Sequence, residues 1–144
     1  MMPDQAYERL FITYPRMSGG ILNQSKPGRF PDFFLVGAPR CGTTALSRYL
    51  TRNPQICFSR PKEPHYFVRT DYIPDTDELN RDYLDRCFAH ATSSHRALGE
   101  GSVSYLYAPK AIERILHFNP KAKFIVQVRD PVRMLPSYHL RMQF

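Results

Sequence analysis

The pattern of apolar and polar positions predicts strands alternating with helices from residue 32 onward. The apolar run at 33–36 is typical of a strand that is buried on both faces. A helix is predicted at 43–52, because apolar residues recur there at helical spacing and Asn53-Pro54 follows. Short strands are expected at 55–58 and 97–99, and a second strong strand at 123–128.

Three further helices are predicted, at 77–91, at 109–118 and from 131 to near residue 144. Asp75 or Thr76 suits the cap of the first, and Pro109 and Pro131 suit the first positions of the others. Pro136 lies inside the last helix and is expected to kink it. The apolar stripes comprise Leu79, Tyr83, Leu84, Cys87 and Phe88 in the first helix, and Val132, Leu135, Tyr138 and Met142 in the last.

Alternating strands and helices predict an α/β fold with a mainly parallel central sheet. Residues 32–144 would form this domain, and residues 1–31, punctuated by Pro and Gly, a preceding extension. Ligands of such sheets bind at the carboxyl ends of the strands, so chemistry-bearing residues are expected there.

Composition fits one globular domain: the chain has 144 residues, 42% of them apolar and 23% charged. No run of 18 apolar residues and no secretory leader occurs, so we expect a cytoplasmic protein without a membrane span. The odd set of Cys41, Cys57 and Cys87 favours reduced thiols. A net charge of +7, mostly from arginine, indicates an anionic partner. No nucleic-acid-binding module is present and the arginines are scattered, which disfavours nucleic acid.

Residues 37–44, here called the phosphate loop, follow the first buried strand directly and precede a helix. Gly37 and Gly42 have the spacing of a nucleotide phosphate loop, in which backbone N–H groups cradle an anion. Thr43 stands where nucleoside triphosphatases carry lysine, which disfavours triphosphate hydrolysis and a kinase. Arg40 supplies a cation earlier in the loop, and Cys41 is expected to be small filler.

With these residues in view, the chain resembles the sulfotransferases that use 3′-phosphoadenosine 5′-phosphosulfate, in particular the Golgi-type and bacterial carbohydrate enzymes. The family's 5′-phosphosulfate loop matches 40–44, and its second nucleotide motif matches Arg129 with Ser137 eight residues later. Two further stretches match at 62–67 (KEPHYF) and at 99–105 (GEGSVSY), and the resemblance covers about 33–138.

The resemblance implies sulfonate transfer from that donor to a hydroxyl or amine acceptor, with a carbohydrate as the expected acceptor. Adenosine 3′,5′-bisphosphate would leave, and no metal is implied. It assigns the donor to Arg40, Cys41, Gly42, Thr43, Thr44, Arg129 and Ser137. It makes Glu63 the general base and Arg40 the cation at the leaving oxygen. His65 is the rival base, and Lys62 would hold the sulfonate or lower the pKa of Glu63. Glu100 would either face the site, cap a loop or pair with an arginine.

Catalytic domains of this family are considerably longer, so the resemblance implies a sulfotransferase domain that is incomplete at its C-terminal end. The alternative is a non-catalytic fragment, or half of an oligomer, that binds the nucleotide without transferring sulfonate. Magnesium-dependent ATP binding would revive the kinase hypothesis.

Overall fold

The computed structural model describes residues 29–68 and 77–142. Within them, four strands form a parallel sheet in the order β2-β3-β1-β4. The strands are β1 (Phe33–Gly37), β2 (Ile56–Phe58), β3 (Ala97–Gly101) and β4 (Lys123–Val126). The predicted α/β class with a mainly parallel sheet is confirmed.

The helices are α1 (Thr43–Thr51), α2 (Asp77–Phe88), α3 (Pro109–Phe118) and α4 (Pro131–Met142). Two 3₁₀ turns, at Tyr66–Val68 and Val103–Tyr107, were not predicted. Helix α3 matches its predicted bounds, whereas α2 ends at Phe88 instead of 91, because a turn closes there with Ala91 N donating to Phe88 O at 2.8 Å. The candidate caps Asp75 and Thr76 lie outside the described residues.

The hydrophobic core lies between the sheet, α2, α3 and the two 3₁₀ turns, and it is mainly aromatic. Phe34 on β1 meets the ring of Phe67 edge-on at 5.8 Å, and Phe67 in turn contacts Tyr83 and Tyr105. Burial of each such ring contributes about 1.5–3 kcal/mol. The core therefore holds the two 3₁₀ turns against the sheet. Polar residues adjoin both turns in the sequence.

Strand β3 is short of apolar side chains, yet it pairs on both sides, with β1 and β2. Its glycines admit aromatic rings from these neighbours. A Cβ on Gly99 would lie 2.1 Å from Phe33 Cζ, and one on Gly101 would lie 2.9 Å from Phe58 Cζ. These two glycines are required by close packing.

Strand β4 is shorter than the predicted 123–128, because it ends at Val126, and it lies at an edge of the described sheet. Its register with β1 shifts between Leu35 and Gly37. Beyond the shift, Gln127 N donates to Gly37 O and Ala38 N donates to Gln127 O, both at 2.8 Å. The end of β4 is thus tied to the start of the phosphate loop.

Helix α4 continues through Pro136, and its predicted apolar stripe is exposed instead of packed. Val132 is 76% exposed and Leu135 60%. No residue in the described ranges covers this stripe. No helix in the described part of the chain is long and apolar enough to cross a membrane.

Residues 29–31, which the sequence analysis assigned to the extension, contact the domain. Arg29 bonds both Asp32 and the carbonyl of Arg96, and Phe30 stacks on Phe118 at 4.9 Å. Pro31 is buried and accepts a hydrogen bond from Asn119 Nδ2 at 3.0 Å.

Candidate functional site

The phosphate loop leads from β1 to the first turn of α1 at the carboxyl edge of the sheet. Gly42 precedes α1 with φ +91°, a left-handed conformation that glycine adopts without strain. No side chain caps α1, and its first turn carries no acidic residue. The positive end of the helix dipole at this point favours an anion.

Gln127 lies against this loop and was missed by the sequence analysis. A Cβ on Gly42 would lie 3.2 Å from Gln127 Nε2, so the loop passes close over the amide. Gln127 Oε1 is buried and has no hydrogen-bond partner among the described residues. In the sequence, Gln127 stands out only as an amide side chain within the largely apolar segment 123–128.

The two predicted nucleotide motifs meet through one hydrogen bond. Arg40 Nε donates to Ser137 Oγ on α4 at 2.9 Å, and Arg40 has φ +61°. Thr43 and Cys41 are buried, whereas Thr44 is exposed. The phosphate loop is therefore joined to the helix that follows β4.

Arg129 lies between β4 and α4 with an exposed side chain. The next residue, Asp130, caps α4, because its Oδ1 accepts from Val132 N at 2.8 Å. Arg129 thus stands at the carboxyl edge of the sheet, as predicted, immediately before a capped helix start. Its contact with a 3′-phosphate stays a prediction.

The 62–67 segment follows β2 and is held against the residues after β3. Glu63 N donates to Gly101 O at 2.8 Å, and Glu63 Oε2 accepts from Val103 N at 2.9 Å. The Lys62 ammonium pairs with the other carboxylate oxygen of Glu63. Glu63 has φ +65°, a left-handed conformation that is unfavourable for this residue. The surrounding contacts must therefore hold it in place.

The rival base His65 lies beside Glu63, with Nε2 at 3.8 Å from Glu63 Oε2. Its Nδ1 is 2.7 Å from Ser104 Oγ, and its backbone N donates to Ser102 Oγ at 3.0 Å. Burial lowers the pKa of His65, Glu63 opposes this and Lys62 adds to it. The imidazole is therefore neutral near pH 7. The two candidate bases, Glu63 and His65, lie next to each other.

Glu100 neither caps a loop nor pairs with an arginine among the described residues. Its carboxylate is wholly buried at the end of β3 and accepts hydrogen bonds from three hydroxyls, on Tyr83, Ser102 and Tyr105. Burial raises the pKa of Glu100 to about 7, against the lowering effect of these bonds. In the described ranges, no three His, Cys, Asp or Glu residues lie close enough together to hold a metal ion.

Comparisons with known proteins agree with this geometry. The sequence profile of the sulfotransferase family matches residues 31–97. Carbohydrate sulfotransferase 15 of Mus musculus is 31% identical over 76% of this chain. A membrane-associated sulfotransferase of Dictyostelium discoideum is 32% identical over 79% of it. A solved sulfotransferase from Alicyclobacillus acidocaldarius superposes with a TM-score of 0.64 at 29% identity over 79% of the chain.

The chain covers 27% of the mouse relative, 24% of the Dictyostelium relative and 50% of the solved bacterial chain. The region that the family profile matches contains the phosphate loop and the 62–67 segment. The chain therefore belongs to the sulfotransferase family.

Proposed function

We propose that this chain carries the donor-binding part of a sulfotransferase that uses 3′-phosphoadenosine 5′-phosphosulfate and acts on a hydroxyl of a carbohydrate. The observation that carries the proposal is the bond between Arg40 and Ser137, which joins the two donor motifs. The family of the chain supports sulfonate transfer, and the name of the mouse relative supports a carbohydrate acceptor.

The residues present fit such a donor. The first turn of α1, entered through Gly42 and free of acidic side chains, suits the 5′-phosphate. Thr43 and Thr44 add hydroxyl groups that can donate hydrogen bonds to phosphate oxygens. Arg129 and Ser137 would hold the 3′-phosphate. When bound, the donor supplies a sulfonate group on a phosphate that can leave.

The chain's own groups would then act on charge and protons. Arg40 would stabilise the negative charge that grows on the leaving oxygen, as preorganised cations do in phosphoryl transfer. Glu63 would take the proton that the acceptor hydroxyl releases as its oxygen becomes sulfonated. The Val103 N–H fixes one oxygen of Glu63, and the Lys62 ammonium balances its charge.

His65 remains the alternative base. Its lowered pKa keeps it neutral and able to accept a proton, but Ser104 Oγ engages Nδ1, so only Nε2 would face the acceptor. Glu63→Gln and His65→Gln separate the two. Loss of sulfonate transfer in only one variant, with donor binding intact in both, identifies the base.

The second candidate is a nucleotide-binding unit that transfers no sulfonate without further protein. The exposed apolar stripe of α4 favours it, because an apolar surface of this kind is typical of a site where further protein packs. This unit would bind adenosine 3′,5′-bisphosphate with the same residues and show no turnover.

Calorimetric titration with adenosine 3′,5′-bisphosphate, without magnesium, tests the donor site. We expect micromolar binding that Arg40→Ala and Arg129→Ala each weaken about tenfold or more. Arg81→Ala, which removes an exposed arginine from α2, is the matched control and should leave the affinity unchanged. Absence of binding by the folded chain would overturn the proposal, and binding without transfer to any carbohydrate would favour the second candidate.

A further inference from the structure

A buried carboxylate that the proposed mechanism does not use lies beneath the 62–67 segment. Glu100 is 0% exposed, and it accepts from Tyr83 OH at 2.5 Å, Ser102 Oγ at 2.8 Å and Tyr105 OH at 3.2 Å. When Glu100 is ionised it only accepts hydrogen bonds, and each of these hydroxyls then turns its single proton toward the carboxylate.

Two of the three hydroxyls connect Glu100 to the segment that carries the candidate bases. Ser102 Oγ accepts from the backbone N–H of His65 at 3.0 Å, and Tyr105 OH accepts from that of Phe67 at 3.3 Å. A hydroxyl whose proton points at Glu100 presents its lone pairs to these N–H groups. The carboxylate thereby sets the direction of both links.

The segment needs such support because its backbone is in an unfavourable conformation. Glu63 has φ +65° and His65 has φ +52°, values that L residues keep only when the surrounding structure imposes them. The restraints on the two residues come from Gly101, Ser102, Val103 and Ser104, which directly follow Glu100 in the chain.

We propose that Glu100 is a positioning residue, which holds the backbone of His65 and Phe67 in its working orientation through the hydroxyls of Ser102 and Tyr105. The proposal rests on the proposed function for its effect on turnover, but its structural part concerns this chain alone. Tyr83 extends the arrangement to α2, because it bonds Glu100 and stacks on Tyr66 at 4.1 Å.

The variant Glu100→Gln keeps the shape of the side chain and changes its hydrogen-bonding. The amide nitrogen donates, so a hydroxyl that faces it must reverse and present its proton to the segment. If Ser102 reverses, its hydroxyl proton opposes the His65 N–H. Ser102→Ala removes this link directly and leaves Glu100 ionisable.

Three readouts test the proposal on the full chain. In Glu100→Gln and Ser102→Ala we expect turnover to fall about tenfold or more, while KM for the donor and bisphosphate affinity stay within about twofold. We also expect the NMR resonances of the His65 ring, and its titration midpoint, to shift in both variants. Tyr66→Phe is the control, because it removes a hydroxyl that bonds Asn80 instead of Glu100.

Unchanged His65 resonances in folded variants that bind the bisphosphate would overturn the positioning role. If the wild-type chain binds the bisphosphate but transfers no sulfonate, the transfer function fails, and the His65 spectrum alone decides the positioning role. If Glu100→Gln does not fold, Ser102→Ala and Tyr105→Phe decide in its place, since each removes one link. A loss of stability with no change at His65 in those variants would show a merely structural carboxylate.

Discussion

Arg40 Nε donates a hydrogen bond of 2.9 Å to Ser137 Oγ, across 97 positions of the sequence. One partner lies in the phosphate loop and the other on α4. Because a serine hydroxyl accepts from and donates to different neighbours, Ser137 can orient Arg40 and also contact an anion held between them. The two predicted nucleotide motifs are therefore one physical unit.

We expect Arg40→Ala and Ser137→Ala to be non-additive in bisphosphate binding. Arg40→Ala should weaken the affinity about tenfold or more, and Ser137→Ala by a smaller factor, because a charge-assisted contact is stronger than a neutral one. The double variant should bind only slightly more weakly than Arg40→Ala alone, since the partners act together. Calorimetry on the four proteins measures this coupling, and effects that simply multiply would contradict it.

Gly42→Ala should destabilise the chain by about 1–2 kcal/mol, because an L residue resists the left-handed conformation. The new methyl would also lie 3.2 Å from Gln127 Nε2. We expect bisphosphate binding to be lost as the loop backbone shifts. Urea unfolding and calorimetry provide the two measurements.

Ala45→Gly is the matched control for that variant. Ala45 is exposed on α1, and glycine in a helix costs about 1 kcal/mol without touching the loop. It should reduce the free energy of unfolding comparably and leave binding unchanged. Equal losses of affinity in the two variants would show that α1 stability, and not the conformation of Gly42, governs binding.

Much of the fold was predictable, because apolar runs and Pro or Asn signals mark β1, α1 and α3 clearly. The predictions failed where the outcome depends on which other elements pack against a strand or helix, which the apolar pattern does not specify. An apolar segment at 123–128 predicts a strand, but it does not tell that β4 pairs on one side only. Likewise, the stripe of α4 has helical spacing, and spacing alone does not show whether anything packs on it.

Glu100 should make the free energy of unfolding depend on pH. Its pKa is raised from 4.5 to about 7 by burial, so between these values the folded state binds more protons than the unfolded state. The contribution of Glu100 to stability is therefore full below about pH 4.5 and falls by on the order of 3 kcal/mol as the pH rises through 7. Urea unfolding at several pH values from about 5 to 8 measures it.

Glu100→Gln isolates this contribution. The lowered pKa of His65 acts in the opposite direction below pH 6.5, so the two proteins are compared above that pH, where the wild-type imidazole is neutral. As the pH rises, the free energy of unfolding of the wild type should therefore fall relative to that of Glu100→Gln. A difference that stays constant with pH would mean that Glu100 does not titrate in this range.

Leu135→Gln on α4 should change the free energy of unfolding by less than about 0.5 kcal/mol, as exposed substitutions do. We expect the exposed apolar stripe to make the chain self-associate as its concentration rises, and Leu135→Gln should weaken this, since Leu135 is 60% exposed. Sedimentation velocity at several concentrations measures the second effect. Ile115→Gln on α3, at a residue 1% exposed, is the contrast and should unfold the chain or destabilise it severely. A large loss of stability in Leu135→Gln would contradict the exposure of the stripe.

The site was less predictable than the fold. The motifs indicated Arg40, Glu63, His65 and Ser137, and the structure brings these together in two pairs. The surroundings of Glu100 depend on Tyr83, which lies 17 positions away on another element, and no local pattern carries that information. Gln127 was detectable only as a polar interruption of an apolar run.

The sequence Gly99-Glu100-Gly101 gives β3 a further property. Its apolar cover comes from rings of neighbouring strands, Phe33 and Phe58, which occupy the space above the two glycines. In the unfolded chain this segment offers little hydrophobic surface to a second molecule, unlike most inner strands. Strand β3 can take its place in the middle of the sheet only after Phe33 of β1 and Phe58 of β2 pack over its glycines. We therefore expect β3 to form late in folding and to nucleate aggregation poorly.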